Sequence, residues 1–236
     1  MKAKKILGIA VCLAAVMLTS CGNGAGSTAG KNSLFGEIPG IYEKRKVEIA
    51  KKIKTATESK DEKAMLAIVA DMQTAFEEAK LEAQPLAEEM VGKVLPYAIQ
   101  EELPYRIVSD IRVEKVLLPQ IGWMGGDKGM RLRVKFDAVI TGEVKNFFRL
   151  HYLMMSDDGI VGTGCTSVMS NKVVGDTLHM EETVYAPEVP AKYLGSCHLL
   201  KFVDDETYSS EQKSIREKHK QWDEEMKAEL GIQDKK

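Results

Sequence analysis

The stretch RLRVKFDAVI, residues 131–140, decides the fold. Leu132, Val134, Phe136, Ala138 and Ile140 alternate with Arg131, Arg133, Lys135, Asp137 and Val139. A two-residue period sends successive side chains to opposite faces, so it predicts a β-strand with one buried face. Working outward, Phe148, Leu150, Tyr152 and Met154 alternate in the next run, and Asp157-Asp158-Gly159 reads as a hairpin turn. Ile107, Ile111 and Val113 mark an earlier strand, and residues 168–173, 178–184 and 198–203 supply later ones. Gly175-Asp176 makes a further turn, and Pro187 with Pro190 interrupts the pattern. About seven short strands without an intervening helix predict an antiparallel β-sandwich, with a half-open barrel as the alternative. Its expected extent is residues 104–204.

On either side of this block the period becomes helical. Over residues 41–60, Tyr42, Ile49, Ile53 and Ala56 fall near one face. Ser59 and Glu62 form a Ser-x-x-Glu capping signature that opens a second helix. That helix carries the stripe Met65, Ile68, Met72, Phe76, Ala79, Ala83, Met90 and Val94, and Pro85 either kinks it or opens a new turn. Residues 43–60 carry a net charge of +4 and residues 61–90 a net charge of −6. Complementary charge and a short turn predict an antiparallel hairpin over residues 41–100. Near the C-terminus, Ile215, His219, Trp222, Met226 and Leu230 form another stripe, with Ser209 and Gln212 offering a cap. This helix, residues 208–231, is expected to pack on the hairpin, and the fold class is therefore α+β.

The 236-residue chain is 44% hydrophobic and 29% charged, which excludes a wholly disordered or collagen-like chain. Its net charge of −2 removes the electrostatic argument for binding nucleic acid.

The N-terminus reads as an address. Lys2, Lys4 and Lys5 precede an uncharged apolar run from Ile6 to Leu18. As a helix that run spans roughly 20 Å, too short for a bilayer core of about 30 Å, and it fits a signal-peptide core over residues 1–20. The run ends in Leu18-Thr19-Ser20-Cys21-Gly22, which resembles the lipobox of bacterial lipoproteins. The resemblance implies that Cys21 is acylated and becomes the first mature residue, holding the chain to membrane lipid. With Gly22 rather than Asp behind it, the resemblance implies the outer membrane, facing the periplasm. Removing residues 1–20 leaves a net charge of −5. Residues 21–40, rich in Gly, Ser, Asn and Ala, are expected to form a flexible tether. The run from Phe148 to Tyr152 and on through Asp157-Asp158-Gly159 to Gly162 resembles the F-x-L-Y-plus-turn pattern of small Ig-like sandwiches in exported bacterial proteins.

Candidate sites are few. Cys12 leaves with the signal, so Cys165 and Cys197 remain as the mature thiols. They either form a disulfide, closing a loop of about 33 residues in a compartment that permits it, or stay free and buried. His179 and Glu181 share a strand face, but two ligands are too few for a structural metal site, and a solvent-facing strip is expected there. His151 is expected on the outer, solvent side of its strand, and His219 beside the helix stripe. No G-x-S-x-G elbow, phosphate loop or C-x-x-C motif occurs. Trp123 and Met124, set among glycines between two strands, form either a contact loop for a partner or ligand, or a flap that covers the end of the sheets. The expected protein is a lipid-anchored envelope lipoprotein acting as a binding or interaction module, without catalytic residues, metal or cofactor. Its expected partners are the membrane, through lipid, and an envelope protein. An enzyme assembled from distant residues, or a structural protein self-associating through its helices, are the alternatives.

Overall fold

The computed structural model describes residues 33–59, 61–121, 127–144, 147–169, 172–185, 189 and 191–230. Two helices come first, α1 (Ile38–Ser59) and α2 (Glu62–Met90). Seven further strands follow three short or medium ones. In order these are β1 (Tyr97–Ile99), β2 (Tyr105–Ile107), β3 (Arg112–Leu117), β4 (Gln120–Ile121), β5 (Asp127–Lys128), β6 (Arg131–Ile140), β7 (Phe147–Ser156), β8 (Gly159–Met169), β9 (Thr177–Tyr185) and β10 (Leu199–Val203). The short helix α3 (Ala191–Ser196) precedes β10, and α4 (Asp205–Leu230) follows it. The class is α+β, with two four-stranded sheets, neither closed on itself, and the small ribbon β4–β5.

The helical hairpin forms as its stripes require. Tyr42, Ile49 and Ala56 of α1, and Ile68, Met72, Phe76, Ala79 and Ala83 of α2, are buried. The rings of Tyr42 and Phe76 meet at 5.9 Å. The opposite charges of the two helices do pair: Arg45 lies 3.5 Å from Glu78 and 3.7 Å from Glu82, and Lys52 lies 2.6 Å from Asp71. Pro85 sits inside α2, which continues to Met90. The cap is not the expected one. Asp61 accepts from the backbone N–H groups of Lys63 and Ala64, each at 3.0 Å, while the Ser59 hydroxyl donates back to the Thr55 carbonyl at 2.9 Å. A carboxylate two residues downstream outcompetes the hydroxyl because it adds charge to the helix dipole. Val94, expected on the stripe, lies beyond the helix and bridges to Arg112 of β3.

The first sheet is built around β6. On one side β9 pairs along nearly its whole length, with Asp137 opposite His179, and on the other β2 and β3 share its two ends. Leu132, Val134, Phe136, Ala138 and Ile140 are buried, as the alternation predicts. The second sheet runs β1-β10-β7-β8. Asp157 and Asp158 turn the chain between β7 and β8, with Ser156 opposite Gly159. Gly159 has φ of +104°, a conformation that a side chain would strain. The strand β1 pairs with β10 in parallel, an arrangement no periodicity in three residues announces. Phe202 of the second sheet meets Phe136 of the first at 5.9 Å. One hydrophobic cluster runs from α1 and α2 through both sheets.

Two expectations about the ends of the body are corrected. Residues 33–40 do not belong to a flexible tether: Leu34, Phe35 and Ile38 are buried, and the Leu34 N–H donates to the Cys197 carbonyl at 2.6 Å. Three large apolar side chains in five residues outweigh the flexible glycines around them. The C-terminal helix lies chiefly on β7 and β8, with only a light touch on α1. Its cap is Asp204, whose carboxylate accepts from the Thr207 N–H at 2.7 Å, rather than Ser209.

Candidate functional site

The described residues gather side chains with chemistry at several places. The first is a cleft of about 670 Å³ where the chain enters the body, within the range typical of small-molecule sites. Ser33 and Gly36 line it on one side, Met90, Leu95 and Leu199 give apolar wall, and His198 gives a polar group. The elements hold these groups firmly. The Ser33 hydroxyl donates to the Leu194 carbonyl at 3.0 Å, and the Leu95 N–H donates to the Ile111 carbonyl at 2.8 Å. His198 Nδ1 lies 3.2 Å from the Ser196 carbonyl, which fixes the ring as a donor there, and 3.6 Å from Asp157. The cleft is mainly apolar along the end of α2, where Lys93 adds a positive charge, and polar along the β7–β8 turn at Asp157.

The second place is the seam between α4 and the outer face of β7–β8. Leu150, Tyr152 and Met154 face the core, and His151 and Leu153, on the other face, are also buried. His151 is only 4% exposed, so the solvent-facing position expected for it is corrected. It does lie on the outer face, but α4 covers that face. His151 Nε2 sits 3.1 Å from the Asp205 carboxylate, and its ring meets Tyr208 at 4.1 Å, tilted by 31°. Burial lowers its pKa, against the pull of Asp205, so the ring is held neutral below its ordinary range. Cys165 is its direct cross-strand neighbour. Burial raises the pKa of Tyr208, which lies beside Cys165 and whose hydroxyl accepts from Gln212 Nε2 at 3.0 Å. The sequence carries a signal for this seam. The run LHYLMM places apolar residues on both faces of β7, and a strand covered on both sides reads that way.

The disulfide is not formed, and both Cys165 and Cys197 are free. His151 lies between Cys165 and Val203 in the register, whereas Cys197 lies six residues before Val203. At about 3.3 Å per residue, that offset of roughly 20 Å exceeds the span of about 7 Å a disulfide can bridge. Cys197 is fully buried, and burial pushes its thiol up to about 12. His179 and Glu181 lie on the exposed outer face of the first sheet but do not act together. His179 Nδ1 is 2.7 Å from Asp137, and Glu181 is 3.0 Å from Lys135. No group of three or more His, Cys, Asp or Glu side chains able to hold a metal occurs among the described residues. His219 lies beside its stripe, 3.3 Å from the Val161 carbonyl. Trp123, Met124 and Cys21 fall outside the described residues, although the flanks of the Trp123 loop, β4 and β5, pair with each other.

No protein-family model matches the chain, and neither does any curated protein or solved structure.

Proposed function

We propose that this chain is a lipid-anchored lipoprotein of the bacterial cell envelope, processed before Cys21 and acylated on it. Its body serves as a non-catalytic binding module, with the two sheets acting as a β-sandwich, and it faces the periplasm from the outer membrane. The lipobox resemblance at Leu18-Thr19-Ser20-Cys21 supports the anchor. Acyl chains give hold without a spanning helix, since each buried methylene contributes about 0.8 kcal/mol. No helix among the described residues is long and apolar enough to cross a membrane.

The observation that carries the binding role is the cleft's position. Ser33, where the described body begins, lines it, and only residues 22–32 separate Ser33 from Cys21. A Gly- and Ser-rich segment of that length has an r.m.s. reach of about 18 Å. The cleft therefore opens close to the lipid surface, and its mixed lining suits a small amphipathic ligand.

Two measurements test this reading. Wild-type protein expressed in a bacterial host is expected to partition into the detergent phase of a Triton X-114 extract and Cys21→Ala into the aqueous phase; equal partition of the two rejects the anchor. The aqueous Cys21→Ala protein binds 1-anilinonaphthalene-8-sulfonate saturably, and a further Ser196→Trp change, which fills the cleft, weakens binding about tenfold, or ~1.4 kcal/mol. Equal binding by both removes the cleft from the account.

A further inference from the structure

The seam under α4 places a thiol directly across the strand pair from a buried histidine. In an antiparallel pair, directly opposed residues share a face with Cβ atoms about 5 Å apart. That relation holds between His151 of β7 and Cys165 of β8. The Asp205 carboxylate can only accept, so the His151 Nε2 facing it at 3.1 Å carries the ring's hydrogen. In the neutral ring, Nδ1 is then a bare acceptor. This Nδ1 is buried and has no hydrogen-bond partner. An unsatisfied acceptor in a buried seam costs free energy unless a donor reaches it. The residue directly opposite on β8 is Cys165, whose thiol is a donor. On the helix side, Tyr208 meets the His151 ring at 4.1 Å and lies beside Cys165, and its hydroxyl is oriented by Gln212 Nε2 at 3.0 Å. Cys165 is partly exposed, whereas Cys197 is buried.

We propose that Cys165 is a thiol–disulfide exchange site that accepts low-molecular-weight disulfides. His151 takes the thiol proton on Nδ1, Asp205 holds His151 in the required tautomer, and Tyr208 donates a hydrogen bond to the sulfur as it gains negative charge. The Cys165 sulfur attacks one sulfur of RS–SR. The S–S bond of the small disulfide breaks and a new one forms to Cys165. The departing RS⁻ keeps the bonding electron pair and receives the proton held on His151, leaving as RSH. Cys165 is oxidised and the departing sulfur reduced, so the step needs no reagent beyond the disulfide. The charged and titratable groups around His151 are Arg149 on its own strand, Asp204, Asp205 and Tyr208 from α4 and its cap, and Cys165 from β8. Val203, from β10, is apolar. This inference stands independently of the anchor and of the cleft.

The test treats the full chain with oxidised glutathione and follows each cysteine by peptide mass. Native Cys165 forms the mixed disulfide about tenfold faster than the same residue in urea-unfolded protein, while native Cys197 stays unmodified. The rate at Cys165 falls as acid protonates His151. His151→Gln slows it about tenfold and abolishes that pH step. Asp205→Asn, a change at an exposed position that leaves the core untouched, slows it severalfold and serves if His151→Gln does not fold. Reaction of native Cys165 no faster than in the unfolded chain overturns the proposal. So does an Asp205→Asn or folded His151→Gln protein that reacts at the wild-type rate.

Discussion

Gly164 shows how tightly single atoms are placed. A Cβ built there would stand 2.2 Å from the ring of Tyr152, its cross-strand partner, so the ring lies where a side chain would be. Tyr152 is buried, its hydroxyl donates to the Thr183 carbonyl at 3.4 Å, and burial holds it protonated far above its ordinary range. Gly164→Ala is therefore expected to cost about 1–3 kcal/mol in urea unfolding, and Tyr152→Leu in the same chain to recover part of that loss. No recovery would separate the glycine from the ring. His151 sets a pH dependence. Its folded pKa lies below the ordinary 6.5, so across that window the unfolded chain binds more protons. The stability His151 contributes is complete above the unfolded value and declines as pH falls from it toward the folded one. His151→Gln removes this component, and parallel unfolding curves for wild type and variant between neutral and mildly acid pH would contradict the assignment. Cys165 shows what sequence leaves open. It was legible as one of two mature thiols, but whether it meets another cysteine or a histidine depends on register, which no local pattern carries.

At the level of elements, periodicity located α1, α2, α4, β6, β7, β9 and β10, but it set a strand over residues 168–173 where β8 runs over Gly159–Met169, and capping chemistry set helix ends less accurately. Asp61, not Ser59, opens α2. Asp61→Ala is expected to cost about 1 kcal/mol and Ser59→Ala a few tenths, read from denaturant midpoints; the reverse order would restore the Ser-x-x-Glu cap. The stripe of α4 was correct at Ile215 and Trp222, yet its partner was not. A stripe shows that a helix needs a partner without naming one, and the naming information sits in β7, where Leu153 and Met155 stand on the second face. Ile215 is 4% exposed, and Ile215→Ala is expected to cost about 2–5 kcal/mol. Hydrogen exchange should show the loss of protection concentrated in α4 and the β7–β8 pair. Loss centred on the α1–α2 hairpin would place the helix where its sequence first suggested.

For the whole molecule, helices and sheets share one core, so the body should unfold in a single cooperative transition. That unity was hard to read from sequence, because the contacts that create it join distant segments. Leu34 hydrogen-bonds to Cys197, Gly92 to Val113, and Phe136 touches Phe202. The same packing draws residues 33–40 out of the expected tether and leaves residues 22–32 to link the body to Cys21. On the proposed anchor at Cys21, a shorter link would hold the cleft closer to the bilayer. Everything proposed about station depends on that link ending in lipid. The most direct measurement is the mass of the N-terminal peptide of the protein purified from bacterial membranes. The account predicts a peptide beginning at Cys21 and carrying a diacylglyceryl group and an N-acyl chain. An unmodified Cys21, or a mature chain that starts at another residue, would contradict it.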